Sequence, residues 1–305
     1  MDMVSAQRRD LKNWYAAVKK LEEALLERVF SEKKVEITRN VLGDGGYCEN
    51  IKSGGGFEML RLLLDEGKKF DLSSLRGKNT VLDLFSLHPD LADNKCWQSL
   101  CPKLLTVTQK GIGEGEVMLG LILQDVNRVK DQDINASGVH AEIKNKSANI
   151  KAHGCEHNAR RTTNDAAEAC GWVDPARKAK NGRNLYRGLY QGLFEEEDLS
   201  IIKKYLELVY FRWDEDRVER VAAKILALDE TQGSQYLGME ILSDYRECDG
   251  FELYLHIEPK TGKIVVIGDF DDKEFISEHL EFKIPLRGLS TQALADGYAS
   301  VKVKK

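Results

Sequence analysis

One stretch, residues 110–151, constrains the fold more than any other. It opens with a turn at Gly111 and Gly113 and runs into the apolar segment 116–123, EVMLGLIL. It then breaks at the polar residues 125–132 and ends in the segment 140–144, HAEIK. The first segment carries a single charge, at its front. A helix apolar on every side has no face to give to water, so this one is expected to be buried. The second segment reads as a short strand. A buried helix followed by a strand places the chain among proteins that mix the two.

On that strand Glu142 and Lys144 stand two residues apart. Side chains at i and i+2 of a strand leave the same face, so a carboxylate and an ammonium project together. Asp131 or Asp133 approaches from the segment before, and Glu114 or Glu116 from the head of the helix. Each residue type has a task in breaking a phosphodiester. Carboxylates bind Mg²⁺, or Mn²⁺, through hard oxygens. The cation polarises the phosphate and makes a bound water more acidic. The lysine places that water and offsets charge growing on the phosphate. Glu116 is preferred to Glu114 because it heads the apolar helix. Asp133 is preferred to Asp131 because an isoleucine follows it, as at a strand start; both alternatives stay open.

Taken singly, these are ordinary residues. Strand charges pair with their neighbours across a sheet, and acids favour helix N-termini. Glu-x-Lys also begins at Glu32, Glu66, Glu258 and Glu281. Only Glu281-Phe282-Lys283 has strand-like flanks and aspartates upstream. Nothing like the Gly-x-Gly-Glu-x-Glu helix precedes it and no basic run follows, so it reads as an exposed edge pair on a core strand. It is the order of Glu116, Asp133, Glu142 and Lys144 along helix and strand that carries weight. His140 shares the face of Glu142 and reads as a packing histidine, while Ser147 and Asn149 read as phosphate contacts.

The net charge of −5 does not by itself point to nucleic acid. Its distribution says more. Residues 144–187 hold ten basic side chains, including Lys146, Lys151, Arg160 and Arg161, against four acids. A positive run directly after the candidate carboxylates suits a phosphate backbone, and a solvated loop is its equal alternative. The six cysteines are scattered without a CxxC pair and read as reduced thiols rather than a zinc ribbon. His153-Gly-Cys155-Glu-His157 has ligand-type residues but reads as a chance set in a polar loop. No run approaches the ~18 apolar residues of a membrane span, and no signal pattern opens the chain. A cytoplasmic protein without membrane contact is expected.

Elsewhere, 7–30 has the spacing of an amphipathic helix and 42–56 is a glycine-rich connector. A helix is expected over 57–66, and short helices and turns over 70–103. Residues 145–190 are the least regular. Helical spacing returns over 199–213 and 217–228. From Gly250 the period becomes two: Phe251, Leu253, Leu255 and Ile257 alternate with mostly polar neighbours. A turn at 259–262 and the segment KIVVIGDF complete a hairpin, and 280–286 is a third strand.

Gly113-Glu-Gly-Glu116 leading an apolar helix, Asp133-Ile134, and Ala141-Glu-Ile-Lys144 together resemble the PD-(D/E)xK, or restriction-endonuclease-like, superfamily. Within it they resemble nuclease-like proteins of tailed bacteriophages. The likeness is clear over 108–151 and loose in the late strands. The proline of the motif is absent: Lys130 precedes Asp131, and Gln132 precedes Asp133. The resemblance implies an α/β (α+β) fold with a central mixed sheet flanked by helices. It makes 1–105 a helical region and 106–305 the nuclease core, with a basic irregular insertion at 145–195. It further implies Mg²⁺-dependent (or Mn²⁺-dependent) hydrolysis of DNA, with Glu116, Asp133, Glu142 and Lys144 catalytic and the three acids on the metal. Lys146, Lys151, Arg160 and Arg161 would steer the backbone. Partners are then DNA and a second copy of the chain for cutting both strands. The rival expectation is a non-catalytic phage structural or assembly protein of the virion that keeps the fold and binds phage proteins. A DNA-binding protein without cleavage is a weaker third.

Overall fold

The computed structural model describes residues 12–21, 23, 55–106, 115–127, 134–152, 166, 168–172, 189–284 and 298–305. The chain divides into two compact units. The first is Met1–Lys146 with Phe251–Asp269, and the second is Ser147–Gly250 with Phe270–Lys305. Both mix helix and strand.

The first unit is built on a six-stranded mixed sheet. Its strands are β1 (Thr80–Asp83), β2 (Val126–Asn127), β3 (Ile134–Ala136), β4 (Val139–Asn145), β6 (Leu253–Glu258) and β7 (Lys263–Ile267). They lie in the order β1-β7-β6-β4-β3-β2. β4 and β6 run parallel, and every other neighbour is antiparallel. A parallel pair needs a long crossover, and here the first segment of the second unit supplies it. The hairpin expected after Gly250 is β6–β7, closed where Glu258 accepts from Thr261 and Gly262. Two strands of this sheet were not foreseen: β1 lies in a stretch read as helices and turns, and β2 in the polar break after the apolar helix.

One face of this sheet is core. Ala141, Ile143, Leu253, Leu255, Ile257 and Val266 pack there in one cluster with residues of several helices. Among these are α1 (Gly56–Leu64), α3 (Lys95–Thr106), which follows the short α2 (Pro89–Ala92), and α4 (Glu116–Ile122). The expected burial of α4 is complete: all seven residues are buried, Glu116 included. Its start is set by Gly115, whose φ of 87° only glycine adopts cheaply. A Cβ there would stand 2.9 Å from Ile257 Cδ1. Residues 12–21 are helical, and their apolar stripe is buried at Trp14, Val18 and Leu21.

The second unit holds the three-stranded sheet β5-β9-β8, from β5 (Ser147–Lys151), β8 (Leu280–Lys283) and β9 (Tyr298–Val303). So the basic stretch read as irregular opens with a strand. Its helices are α5 (Leu189–Glu195), α6 (Leu199–Val209), α7 (Glu215–Leu226), α8 (Glu230–Asp249) and α9 (Lys273–His279). α6, α7, α8 and α9 each begin on an aspartate whose side chain accepts from a backbone N–H of the first turn. α8 was not singled out from the sequence. It buries residues around much of its girth, Glu240 and Asp244 among them, so no clean stripe announces it. It lies on the sheet so closely that a Cβ at Gly238 would meet Phe282 Cβ at 2.3 Å. Gln235 covers the free edge of β8. Its amide donates to Leu280 O and accepts from Phe282 N, taking the place of a neighbouring strand.

Among the described residues, no helix is long and apolar enough to cross a membrane.

Candidate active site

The pleat of β4 divides its side chains between two environments. Ala141 and Ile143 enter the apolar core, so His140, Glu142 and Lys144 leave by the other face. Residues paired across a ladder share a face. That adds Tyr254, opposite Glu142, and His256, opposite Lys144, both from β6. Asn135 of β3, opposite His140, joins them. One sheet face therefore gathers a carboxylate, an ammonium, a phenol and two imidazoles.

Glu142 is 6% exposed, and its Oε1 accepts from the Lys144 ammonium, so the pair foreseen on one strand face is in direct contact. Beside it, Tyr254 and His256 are fully buried. His256 Nε2 lies 2.8 Å from the Lys146 carbonyl, and Tyr254 Oη lies 2.9 Å from His256 Nδ1. A carbonyl can only accept, which puts the imidazole proton on Nε2 and leaves Nδ1 bare. Tyr254 must then donate to Nδ1. The chain of bonds runs from the phenol through a neutral imidazole to the backbone just past Lys144. Burial depresses the His256 pKa to about 4; the nearby Lys144 charge adds to this, and the Lys146 hydrogen bond opposes it. Burial also pushes the Tyr254 hydroxyl well above its usual range, and the Glu142 carboxylate pushes it further.

Lys146 ends this arrangement. It is exposed, and its φ of 55° is unusual for a residue with a side chain. Both its backbone groups are held by β6: its N–H donates to Ile257 O, and its carbonyl accepts from His256. The chain thus turns immediately after the Glu-x-Lys segment, and its end is fixed on the neighbouring strand.

The other foreseen residues are placed as follows. Glu116 heads α4, which packs on the apolar face, and Gly115 backs onto Ile257, the partner of Asn145. Glu116 is therefore brought to the end of the same strand pair from the opposite side of the sheet. Glu114, Asp131, Asp133, Arg160 and Arg161 lie outside the described residues, as do His153, Cys155 and His157. β3 begins at Ile134, one residue after Asp133. Among the described residues no three His, Cys, Asp or Glu side chains form a metal-holding group. Lys151 lies half-buried on β5 of the second unit. There Ser147 and Asn149 help line an open groove of about 1260 Å³ with Ser300, Lys283 and Lys304. The rival triplet is an edge pair as expected: Glu281 binds Lys283 at 3.1 Å and Lys302 at 3.0 Å.

Sequence reasoning did not single out Tyr254 and His256. The signal lies in the alternation over 251–258, where both stand among the polar neighbours of the apolar positions. On a strand with both faces buried, those neighbours are interior too.

Comparison with protein-family models, curated proteins and solved structures finds no match to this chain.

Proposed function

We propose that the chain is a metal-dependent nuclease that hydrolyses the phosphodiester bonds of DNA. The observation that carries this reading is the contact of the buried Glu142 carboxylate with the half-buried Lys144 ammonium on one face of a mixed sheet. A surface ion pair is worth little and needs no burial. Taking the carboxylate of this pair out of water adds a desolvation cost that offsets most of the attraction. The element order supports the same reading. A buried helix, three antiparallel strands β2-β3-β4 and then β6 parallel to β4 form a mixed sheet with helices packed on it, as the restriction-endonuclease-like resemblance implies.

The donor set fits a divalent cation. Glu142 presents a buried carboxylate, and Tyr254 beside it has committed its proton to His256 and offers only oxygen lone pairs. Glu142 would hold the cation with the other two expected acids, Asp133 and Glu116. A divalent cation bound there supplies polarisation of the scissile phosphate and a more acidic water. The ammonium of Lys144 orients the attacking water and donates to a phosphate oxygen as negative charge builds. Tyr254 and His256 form a buried, neutral floor, which strengthens each of these electrostatic contacts. The Lys146 side chain, exposed at the strand end, would meet the DNA backbone.

The test is nicking of supercoiled plasmid in Mg²⁺ or Mn²⁺ by wild type, Glu142→Ala and Lys144→Ala. Each variant is expected to lose activity by about 10²-fold or more, the usual loss when one group stabilising the transition state is removed. Cutting at wild-type rates by both variants would exclude the reading. A fold kept without catalysis, as in a virion protein, predicts no nicking by wild type and no Mn²⁺ binding that depends on Glu142.

A further inference from the structure

His140 is 8% exposed, yet among the described residues neither of its ring nitrogens has a hydrogen-bond partner. A buried polar group left unpaired costs about 1–3 kcal/mol, so such a group asks for an explanation. Its neighbourhood suggests one. His140 leaves β4 on the same face as Glu142, two residues away, and its ring is held edge-on to Phe251 at a centroid distance of 6.3 Å. Same-face neighbours on a strand stand roughly 7 Å apart at Cα. That spacing lets an imidazole nitrogen and a carboxylate oxygen close on one ion. The groups around this point are mainly acceptors. Glu142 is a carboxylate, the Tyr254 proton is directed to His256, and a neutral imidazole always carries one bare nitrogen.

We propose that His140 is a nitrogen ligand to the divalent cation held by Glu142, and that it gives the site a preference for Mn²⁺-class transition ions over Mg²⁺. The proposal rests on the metal-site reading above and adds to it the ligand that decides the ion. Carboxylate and water suit Mg²⁺, whereas imidazole suits the later first-row ions. Mg²⁺ also keeps its waters and gains little from a nitrogen. The strand supplies the chelate geometry, and the contact with Phe251 holds the ring in place before the ion arrives.

The experiment uses the full chain with MnCl₂ and MgCl₂ as probes. Calorimetric titration gives the two affinities, and pulsed electron paramagnetic resonance of bound Mn²⁺ reports coupling to a ¹⁴N nucleus. In wild type, Mn²⁺ is expected to bind more tightly than Mg²⁺ and to show ¹⁴N coupling. In His140→Gln the coupling disappears, and Mn²⁺ affinity falls by at least about tenfold, a loss typical even of groups that merely orient a ligand. Mg²⁺ affinity changes little. Mn²⁺ binding that is lost in Glu142→Gln but shows no ¹⁴N coupling in wild type overturns the role of His140 and leaves the nuclease reading standing. Absence of any Glu142-dependent Mn²⁺ binding overturns both. Should His140→Gln fail to fold, as judged by circular dichroism, a wild-type crystal soaked in MnCl₂ decides. An anomalous peak within bonding distance of a His140 nitrogen supports the proposal, and a peak bound by carboxylates alone refutes it.

Discussion

Tyr254 lies directly opposite Glu142 in the parallel pairing of β4 with β6, and the charge of Glu142 is felt at its hydroxyl. The phenol does not answer that charge with its proton, because the proton is given to His256 Nδ1. His256 in turn is opposite Lys144 and ties the backbone at Lys146. The Glu-x-Lys pair therefore rests beside a polar chain that works only while the imidazole is neutral.

A pH dependence of stability follows. The His256 pKa is about 4 in the folded chain, against an ordinary value of 6.5. Between these values the unfolded chain binds more protons than the folded one, so stability falls as pH drops from 6.5 towards 4. The contribution is fully present above pH 6.5. Its full size is about 3 kcal/mol, from 1.36 kcal/mol per pKa unit. Urea unfolding at pH 7.5 and pH 4.5 is expected to show this loss in wild type. His256→Gln, which keeps a donor for the Lys146 carbonyl, is expected to flatten the profile. An equal pH slope in both proteins would remove His256 from the account.

Gly115 fixes the start of α4. Alanine there meets two obstacles: a left-handed backbone at φ 87° and contact with Ile257 Cδ1 at 2.9 Å. Gly115→Ala is expected to destabilise by about 1–3 kcal/mol, from left-handed strain with overpacking. The midpoint of urea unfolding measures it, and an unchanged midpoint would mean the helix start can shift without cost.

Glu240 of α8 is almost completely buried within the second unit. Arg220 meets its carboxylate with both guanidinium nitrogens, at 2.8 and 3.1 Å, and Arg217 reaches it at 3.3 Å. Burial alone would raise its pKa. The Arg220 hydrogen bonds, with the charges of Lys273, Arg220 and Arg217, more than reverse this and hold it below the ordinary value. Glu240→Ala leaves those cations without their shared anion and is expected to cost about 3–5 kcal/mol, as when one partner of a buried ion pair is removed. Thermal unfolding followed by circular dichroism checks it. A loss below the scatter between repeat scans would show that water or Glu247, 3.0 Å from Arg217, compensates.

The local features of this chain were legible because they depend on short-range periodicity. The apolar run 116–123 forms α4, the alternation after Gly250 forms β6, and the two-residue spacing of Glu142 and Lys144 puts both on one strand face. Each rests on backbone geometry that any few consecutive residues share. β1 and β2 escaped notice because strands this short carry no period to read. α8 escaped because its interior accepts charge, and the cations that make this affordable lie on α7 and α9.

The sequence by itself determined that a carboxylate and an ammonium would project together from β4. Only the tertiary structure decided what stands beside them. The parallel register of β4 with β6 joins segments separated by most of the second unit, and it sets Tyr254 against Glu142 and His256 against Lys144. On the same face as Glu142, His140 is buried with no hydrogen-bond partner for its ring among the described residues. Such pairings depend on which strands meet and in what alignment. That choice is made by the packing of whole sheet faces, where a slip of one residue would send every side chain of β6 to the other side.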